Sequence, residues 1–200
     1  MKHQKETIAI ITARGGSKRI KNKNILKFFG KPMIAYSIIA AKKSKLFKKI
    51  YICTDSKKIK DISKKYGSTF LSYRNKKFSD DYSGTYEVIK NFINKNKINE
   101  KFICCIYPTA PLMRSVDLIR GFNLLKKNEK SYVYSANIFK KKLVDSGQFY
   151  WGSLGTWKSK KNLLHKNSLK IKIPNKYAHD LNTYDDLKIL KIKKKLLKLI

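Results

Sequence analysis

Short apolar runs alternate along this chain with longer segments that repeat apolar residues at helical spacing. The apolar runs predict strands at 7–12, 49–53, 69–72, 102–107, 131–136 and 148–151. The longer segments predict helices at 33–44, 56–67, 83–96, 115–127 and 183–200. The alternation predicts a three-layer α/β fold, with helices on both faces of a mainly parallel sheet. Ligands then bind at the carboxyl ends of its strands.

Individual residues mark the ends of several predicted helices. Pro32 stands in the first turn of one helix, and Ser115 is the predicted N-cap of another. Gly67 is a helix stop, and Thr183 is a predicted cap followed by two acidic residues. These signals predict where the chain leaves the sheet and returns to it.

The final predicted helix becomes rich in lysine after its first turn. Its apolar residues suffice for a buried face and are Leu187, Ile189, Leu190, Ile192, Leu196, Leu197 and Ile200. They favour docking of the helix on the sheet, and a membrane-surface helix is the alternative.

Length and composition predict a single domain over 1–200. The chain has 200 residues, of which 42% are hydrophobic, enough for one core. Its apolar runs are shorter than a membrane span or a convincing signal peptide, so we expect a cytoplasmic protein with no membrane partner. The three cysteines (53, 104 and 105) have neither zinc-site nor disulfide spacing, and the three histidines (3, 165 and 179) form no metal signature.

The net charge of the chain is strongly positive. There are 47 Lys plus Arg against 13 Asp plus Glu, which gives +34. Such a charge is typical of a nucleic-acid binder. The excess is nearly all lysine and is spread over every segment, which favours a general residue bias and no specific nucleic-acid partner. Nonspecific adhesion to polyanions at low salt is still expected.

The segment 8–24 carries the strongest chemical signal. A predicted buried strand opens there into a loop with two adjacent glycines, Gly15 and Gly16, whose backbone N–H groups can approach an anion closely. Its cationic side chains are Arg14, Lys18, Arg19, Lys21 and Lys23. Neither a Walker pattern nor GxGxxG is present. The loop predicts a phosphate site, with a nucleotide as first candidate and an ordinary solvated turn as the alternative.

Several motifs occur in an order that resembles the CMP-sialic acid synthetase family. They are ARGGSKRIKNKNI at 13–25, GKPMIAYSI at 30–38, SDDYSGT at 79–85, CCIYPTAPL at 104–112, DSGQFYWG at 145–152 and HDLNTYDDL at 179–187. Within the family, the YPTAPL and GQFYWG strings look most like pseudaminic acid cytidylyltransferases. The resemblance implies a Rossmann-like nucleotide-diphospho-sugar transferase fold. It also implies Mg²⁺-assisted attack by the anomeric hydroxyl of a nonulosonic acid on the α-phosphorus of CTP, which releases pyrophosphate.

The resemblance also implies roles for individual residues. Catalysis would involve Arg14, Lys23 and Asp180. Nucleotide binding would involve Ala13, Arg14, Gly15, Gly16, Ser17, Lys18, Lys23, Asn24, Arg74, Ser83 and Thr85. Sugar binding would involve Tyr107, Thr109, Gln148 and Tyr150, with the core taking Phe149 and Trp151. Asp180 and Asn182 occupy the positions of the family's Mg²⁺ ligands.

Two departures from the family pattern are visible. The metal-binding Asp-x-Asp reads Asp180-Leu181-Asn182, and an amide lacks the charge that Mg²⁺ prefers, so metal affinity should fall. Between Phe139 and Asp145 the chain lacks several dozen residues that usually contribute sugar contacts and the homodimer interface. Lysines 140–142 are the nearest replacements for the missing basic residues.

Three functional hypotheses follow. The first is a cytidylyltransferase that activates pseudaminic acid or a close relative, for bacterial surface glycan or flagellin glycosylation. The second is a paralogue that binds the nucleotide with impaired turnover, because of Asn182 and the missing segment. The third is a basic protein whose function is to bind polyanions.

Overall fold

A six-stranded mixed sheet forms the centre of the computed structural model, which describes residues 6–80, 82–159 and 162–197. Its strands are β1 (Thr7–Thr12), β4 (Lys49–Cys53), β5 (Phe102–Ile106), β6 (Val133–Phe139), β7 (Lys142–Ser153) and β8 (Leu169–Lys172). A small hairpin of β2 (Lys27–Phe28) and β3 (Lys31–Pro32) lies apart. The helices are α1 (Met33–Ser44), α2 (Lys57–Lys65), α3 (Thr85–Lys95), α4 (Ser115–Lys127), α5 (Leu154–Ser159) and α6 (Tyr184–Leu196).

The sheet order is β4-β1-β5-β7-β6-β8. Neighbouring strands run parallel except that β7 is antiparallel to both β5 and β6. The predicted α/β class and the mainly parallel sheet are therefore confirmed.

Two hydrophobic cores cover the two faces of the sheet. Along β1, Ala9 and Ile11 point into one core and Ile8 and Ile10 into the other. Helices α1, α2 and α4 contribute to the first core, and α3 and α5 contribute to the second. Because successive strand residues face opposite sides, an uninterrupted apolar run is what a strand buried on both faces requires.

Some predicted elements differ in the structure. The strand expected at 69–72 is reduced to one bridge, between Thr69 and Tyr51. Beyond Thr69, a backbone hydrogen bond to this edge of the sheet recurs at Arg74, whose N–H donates to the Thr54 carbonyl at 2.8 Å. Strand β8 and helix α5 were not predicted, because each is too short to show a clear period.

The predicted roles of two residues at helix starts are wrong by one position. Pro32 is the N-cap of α1, one residue outside the helix, and Ser115 is the first helical residue of α4 after the N-cap Arg114. The prediction for Gly67 is confirmed, because it follows the end of α2 with φ of +92°. The predicted cap Thr183 is also confirmed.

Helix α6 does not dock on the sheet as expected. Its buried residue Leu190 packs in a third, smaller cluster with Phe28, Met33 and Leu181. Ile192 and Leu196 are more than half exposed, and Ile189 is also exposed. Ile200 lies outside the described residues. No helix among the described residues is long and apolar enough to cross a membrane.

A tight hairpin stands where the family resemblance predicts a missing segment. Strands β6 and β7 pair up to Phe139 and Lys142, and the turn consists of Lys140 and Lys141 alone. Both turn residues have positive φ, +45° and +62°. This is the backbone that a two-residue turn needs to match the strand twist. The domain extent and the homodimer both stay predictions.

The three cysteines belong to the two hydrophobic cores. Cys53, Cys104 and Cys105 are buried and form no disulfide. Of the histidines, His3 lies outside the described residues.

Candidate active site

A cavity of about 430 Å³ opens at the carboxyl ends of β1 and β5, where the fold predicts a ligand. We call it the basic cavity. Its walls come from the loop after β1, from the segment before α3, from the turn after β5 and from the residues before α6. They are Thr12, Arg14, Ser17, Lys18, Arg19, Ile20, Lys23, Asn24, Arg74, Asp80, Ser83, Thr85, Val88, Tyr107, Pro108, Thr109, Asp180 and Asn182.

Eight of the eleven predicted nucleotide-binding residues line this cavity. They are Arg14, Ser17, Lys18, Lys23, Asn24, Arg74, Ser83 and Thr85. Three do not. Ala13 is buried with its N–H bonded to the Cys53 carbonyl at 2.9 Å, and Gly15 N–H donates to Asp55 Oδ1 at 2.7 Å. Gly16 is not part of the wall. The loop therefore presents mainly side chains to the cavity, and the Gly15 N–H expected to face an anion already has a partner.

The loop after β1 is braced from within. The buried side chain of Asn24 donates through Nδ2 to the Arg14 carbonyl at 2.8 Å. Asn22 adopts a left-handed conformation just before the short 3-10 turn Lys23–Ile25. These contacts hold Arg14 and Lys23 on the same wall although nine positions separate them.

The basic cavity holds five cationic side chains and two carboxyl groups. The cations are Arg14, Lys18, Arg19, Lys23 and Arg74, and the acids are Asp80 and Asp180. Burial lowers the pKa of the Lys23 ammonium, an effect that Asp180 opposes. Burial likewise lowers the pKa of Arg74, whose Nη2 donates to the Phe78 carbonyl. So many cations in one small space favour a polyanionic ligand, which offsets their mutual repulsion.

Asp180 is the acid of the site whose pKa is shifted most strongly. Burial raises its pKa from 3.8 to about 6, although Thr109, Lys23 and Asn182 favour its charged form. Its Oδ2 accepts a hydrogen bond from Asn182 Nδ2 at 2.9 Å, and its Oδ1 is buried without a hydrogen-bond partner among the described residues. A carboxylate oxygen left unpaired beside a polyanion cavity suits a hard divalent cation.

Asn182 links the acid to the cations. Its Oδ1 accepts from Lys23 Nζ at 3.2 Å and from Arg19 Nη2 at 3.4 Å, while its Nδ2 faces Asp180. Within the described ranges, no group of three or more His, Cys, Asp or Glu residues could hold a metal by protein ligands alone. The protein thus offers Mg²⁺ one carboxylate here, and phosphate oxygens of a substrate would complete its coordination.

The segment that carries both residues is fixed by the cap of α6. Asp186 Oδ2 accepts from the backbone N–H groups of Asn182 and Thr183 at 2.9 and 2.7 Å. Its Oδ1 lies 2.9 Å from His179 Nε2. The capping box between Thr183 and Asp186 therefore orients the residues that precede the helix as well as its first turn.

A second cavity of about 510 Å³ adjoins the first, and Tyr107, Asp180 and Asn182 line both. We call it the hairpin cavity, because β6 and β7 supply much of its wall. Its remaining lining residues are Asn137, Phe139, Val144, Asp145, Ser146, Gly147, Tyr150, Ala178 and His179. Lysines 140–142 are not among them, so these residues do not replace the missing basic side chains at this wall.

The predicted sugar-binding residues divide into two groups. Tyr107 and Tyr150 line the hairpin cavity, and Thr109 lines the basic cavity. Gln148 lines neither. It is fully buried, and its Nε2 donates to the Tyr177 carbonyl at 2.7 Å. Phe149 and Trp151 are fully buried as expected.

Hydroxyl groups connect the two cavities. Thr85 Oγ1 and the Tyr107 hydroxyl are 2.5 Å apart, and the rings of Tyr107 and Tyr150 have centroids 5.3 Å apart. The Tyr150 hydroxyl donates to Asp145 Oδ2 at 2.5 Å. Burial raises the pKa of Tyr107 to about 12, and burial also raises the pKa of Tyr150, so both phenols stay neutral donors near pH 7.

Sequence reasoning did not assign several wall residues to the site. Arg19 was identified as a loop cation only, while Asp80, Asp145, Ser146 and His179 had no assigned role. Asp145 and Ser146 lay within the DSGQFYWG motif and His179 within HDLNTYDDL, so the motifs themselves were the available signal. The side chains that reach the cavities depend on the bulged pairing of β6 with β7.

Comparisons with known proteins agree with this geometry. A family model described as Cytidylyltransferase matches residues 8–178. The pseudaminic acid cytidylyltransferase of Campylobacter jejuni is 30% identical over 94% of this chain and 95% of its own. That alignment has 222 positions, more than the 200 residues here, so it contains gaps in this chain. An N-acylneuraminate cytidylyltransferase of Escherichia coli is 37% identical over 62% of this chain and 29% of its own.

A solved structure shares the fold at low sequence identity. It is a CMP:2-keto-3-deoxy-manno-octonic acid synthetase complexed with CTP, with a TM-score of 0.76, 11% identity, and coverage of 98% of this chain and all of that one. The likeness supports a Rossmann-like α/β architecture. The match over residues 8–178 and the 30% identity over 94% of the chain show that the chain belongs to the cytidylyltransferase family.

Proposed function

We propose that this protein transfers CMP from CTP to the anomeric hydroxyl of a nonulosonic acid, with pseudaminic acid as the first candidate, and releases pyrophosphate. The observation that carries the proposal is the pair of joined cavities. The basic cavity has the charge for a nucleoside triphosphate, and the hairpin cavity lies beside it with Asp180 at the junction. The activity of the Campylobacter relative supplies the substrate class.

The triphosphate occupies the wall formed by Arg14, Lys18 and Lys23. In this reaction the new bond joins the anomeric oxygen to the α-phosphorus, and the bond from that phosphorus to pyrophosphate breaks. Negative charge grows on phosphoryl oxygens as the bond breaks, so cations already in position lower the barrier. Lys23 Nζ donates to Asn182 Oδ1 at 3.2 Å and lies in the field of Asp180, which fixes its position on this wall.

Mg²⁺ is the cofactor of this proposal. Asp180 would hold it, with the Asn182 carbonyl as a weaker ligand once that oxygen leaves Lys23. A bound Mg²⁺ would neutralise charge on the triphosphate and polarise the α-phosphoryl group. Since the protein supplies one carboxylate, its metal affinity without nucleotide should be low.

The nucleoside lies against Arg74, Ser83 and Thr85. The Arg74 guanidinium, which donates to the Phe78 carbonyl, and the Thr85 hydroxyl, which lies 2.5 Å from the Tyr107 hydroxyl, both line the basic cavity. Side chains that hydrogen-bond a base edge can reject a base with the wrong donors and acceptors. This wall therefore selects cytosine over uracil in our proposal.

The similarity over nearly the whole chain favours a working transferase over the impaired paralogue. Activation of a nonulosonic acid also accounts for the family motifs along the chain. A function in polyanion binding does not account for them. A homodimer, a cytoplasmic location and glycan or flagellin glycosylation as the use of the product stay predictions.

Pyrophosphate release from CTP tests the proposal. Purified protein with CTP, Mg²⁺ and pseudaminic, legionaminic or N-acetylneuraminic acid should release pyrophosphate in step with CMP-sugar. Lys23→Met should lower kcat/KM by about 100-fold. Lys21→Met is the matched control, since it removes the same charge from an exposed residue of the same loop. No pyrophosphate with any of the three acids would reject the proposed function.

A further inference from the structure

The hairpin cavity offers three kinds of contact that are not explained by the nucleotide. A carboxylate acceptor comes from Asp145, a hydroxyl from Ser146, and apolar surface from Phe139 and Val144. All four residues lie on strands β6 and β7, close to the short turn that joins them.

Asp145 is held ready to accept a further hydrogen bond. Its Oδ2 accepts from the Tyr150 hydroxyl at 2.5 Å, and its Oδ1 accepts from the Gly147 N–H at 2.9 Å. Each carboxylate oxygen can accept two hydrogen bonds, so one position on each oxygen is left. The fixed carboxylate therefore suits a ligand N–H or O–H.

Ser146 has a hydroxyl that lacks a partner. Ser146 is 7% exposed, and its Oγ makes no hydrogen bond among the described residues. Leaving a buried hydroxyl unpaired costs about 1–3 kcal/mol. Rotation about χ1 can turn the hydroxyl towards the cavity that the residue lines, where it can donate to a ligand carbonyl.

Phe139 and Val144 supply apolar surface that is otherwise unused. They are 60% and 36% exposed, and both line the cavity. Neither a lysine nor an arginine of the described residues lines it. The carboxylate of a sugar acid is therefore repelled by Asp145 and drawn towards the basic cavity, where Lys23 and Arg19 lie.

An N-acyl group has one N–H donor, one carbonyl acceptor and one apolar methyl group. We infer that the hairpin cavity is the subsite for an N-acyl group of the acceptor sugar, with the N–H bonded to Asp145, the carbonyl to Ser146, and the methyl group against Phe139 and Val144. This inference rests on the proposed function and adds to it the residues that select the acceptor.

The consequence is a specificity that this chain builds from its own short hairpin. A sugar acid with a hydroxyl in place of the N-acyl group keeps a donor for Asp145 but loses the carbonyl and the methyl contact. Asp145 and Ser146 are then specificity residues, whereas the junction residues serve every acceptor equally.

Binding without turnover tests the inference separately from the proposed function. The probes are N-acetylated nonulosonic acids, pseudaminic and N-acetylneuraminic acid, each paired with the analogue that carries a hydroxyl instead. Titration calorimetry with the cytidine α,β-methylene triphosphate bound measures each dissociation constant, because this nucleotide cannot release pyrophosphate. The unchanged protein should bind at least one N-acetylated acid about 10-fold or more tighter than its hydroxyl analogue.

Two variants locate the preference. Asp145→Asn and Ser146→Ala should each weaken binding of the N-acetylated acid by about 10-fold or more and reduce its ratio to the hydroxyl analogue, with nucleotide affinity within about 2-fold. Asp61→Asn on α2 is the charge-matched control. Melting temperatures confirm that the variants are folded.

Equal binding of the paired acids by the unchanged protein would overturn the inference, as would an unchanged ratio in both variants. Absence of pyrophosphate release together with a clear N-acetyl preference would reject the proposed function and leave the subsite standing. Turnover without any N-acetyl preference would reject the subsite and leave the proposed function standing.

Discussion

The amide oxygen of Asn182 accepts a hydrogen bond from Nζ of Lys23 at 3.2 Å, across 159 positions of sequence. The same amide donates from its nitrogen to Asp180 Oδ2 at 2.9 Å. A neutral group therefore stands between the principal lysine and the buried acid of the site. A second carboxylate at this position would face Asp180 at hydrogen-bond distance, and the two charges would repel each other unless a cation lay between them.

Asn182→Asp should raise the affinity for Mg²⁺ in the presence of CTP. Two carboxylates bind the hard cation better than one, and the cation removes their repulsion. The expected result is a fall of about 10-fold in the Mg²⁺ concentration for half-maximal activity. Mg²⁺ titration of pyrophosphate release measures it, with Asp185→Asn as an exposed control. An unchanged Mg²⁺ requirement and unchanged activity would remove Asn182 as the cause of weak metal binding.

Asp180→Asn should make the nucleotide-free protein more stable than the parent above pH 6, while abolishing most of the activity. The pKa of Asp180 rises from 3.8 unfolded to about 6 folded, because burial disfavours its charge. Below about pH 3 the acid is protonated in both states, so the free energies of unfolding of parent and variant should lie closest together there. As the pH rises from 4 to 6, the unfolded parent releases its proton first and the parent loses up to about 3 kcal/mol relative to the variant.

Urea unfolding at pH 3, 6 and 8 measures this difference. Comparing the two proteins at each pH cancels the contributions of other titrating groups. A difference that stays constant with pH, or that grows towards acid, would contradict the buried position of Asp180.

The two loop glycines should respond differently to alanine. A Cβ on Gly15 would lie 3.0 Å from Ser56 Cβ, and Ser56 caps α2 by accepting from Ile59 N–H. A Cβ on Gly16 meets no atom within 4 Å. Gly15→Ala should therefore destabilise the protein by about 1 kcal/mol or more and weaken CTP binding, whereas Gly16→Ala should stay within about 0.5 kcal/mol. Urea unfolding and CTP titration check both, and equal effects would show that the contact with Ser56 is unimportant.

Replacing the turn residues Lys140 and Lys141 with Asn-Gly should stabilise the protein. Lys140 and Lys141 both have positive φ, a conformation that costs lysine more than glycine or asparagine. The double change Lys140→Asn and Lys141→Gly should raise the free energy of unfolding by about 1 kcal/mol. Lys140→Gln with Lys141→Gln removes the same charges and keeps the strain, so it should not stabilise to this extent. Equal gains from both pairs would assign the effect to charge.

Much of the fold follows from local patterns in the sequence. The run FICCI of β5 is buried throughout, and such a strand needs no polar face, so its apolar run alone predicts an interior position. Thr183 with its acidic first turn predicts a helix start that the capping box confirms. The loop at 13–25 was likewise predicted as a phosphate site from its own residues. Eight of the eleven nucleotide-binding residues that the family resemblance implies line the basic cavity.

The sequence by itself determined the α/β class, the family and most of the basic cavity, because those signals reside in short segments with their own periodicity or motif. Only the tertiary structure decided that Gly15 faces Asp55 and that Gln148 turns into the core. It also brought Asp145 and Ser146 to the hairpin cavity. These facts depend on strand order, on the bulge between β6 and β7, and on contacts between residues far apart in the chain. Local propensity carries no information about which distant partner a side chain meets, since that choice is made by the packing of the whole core.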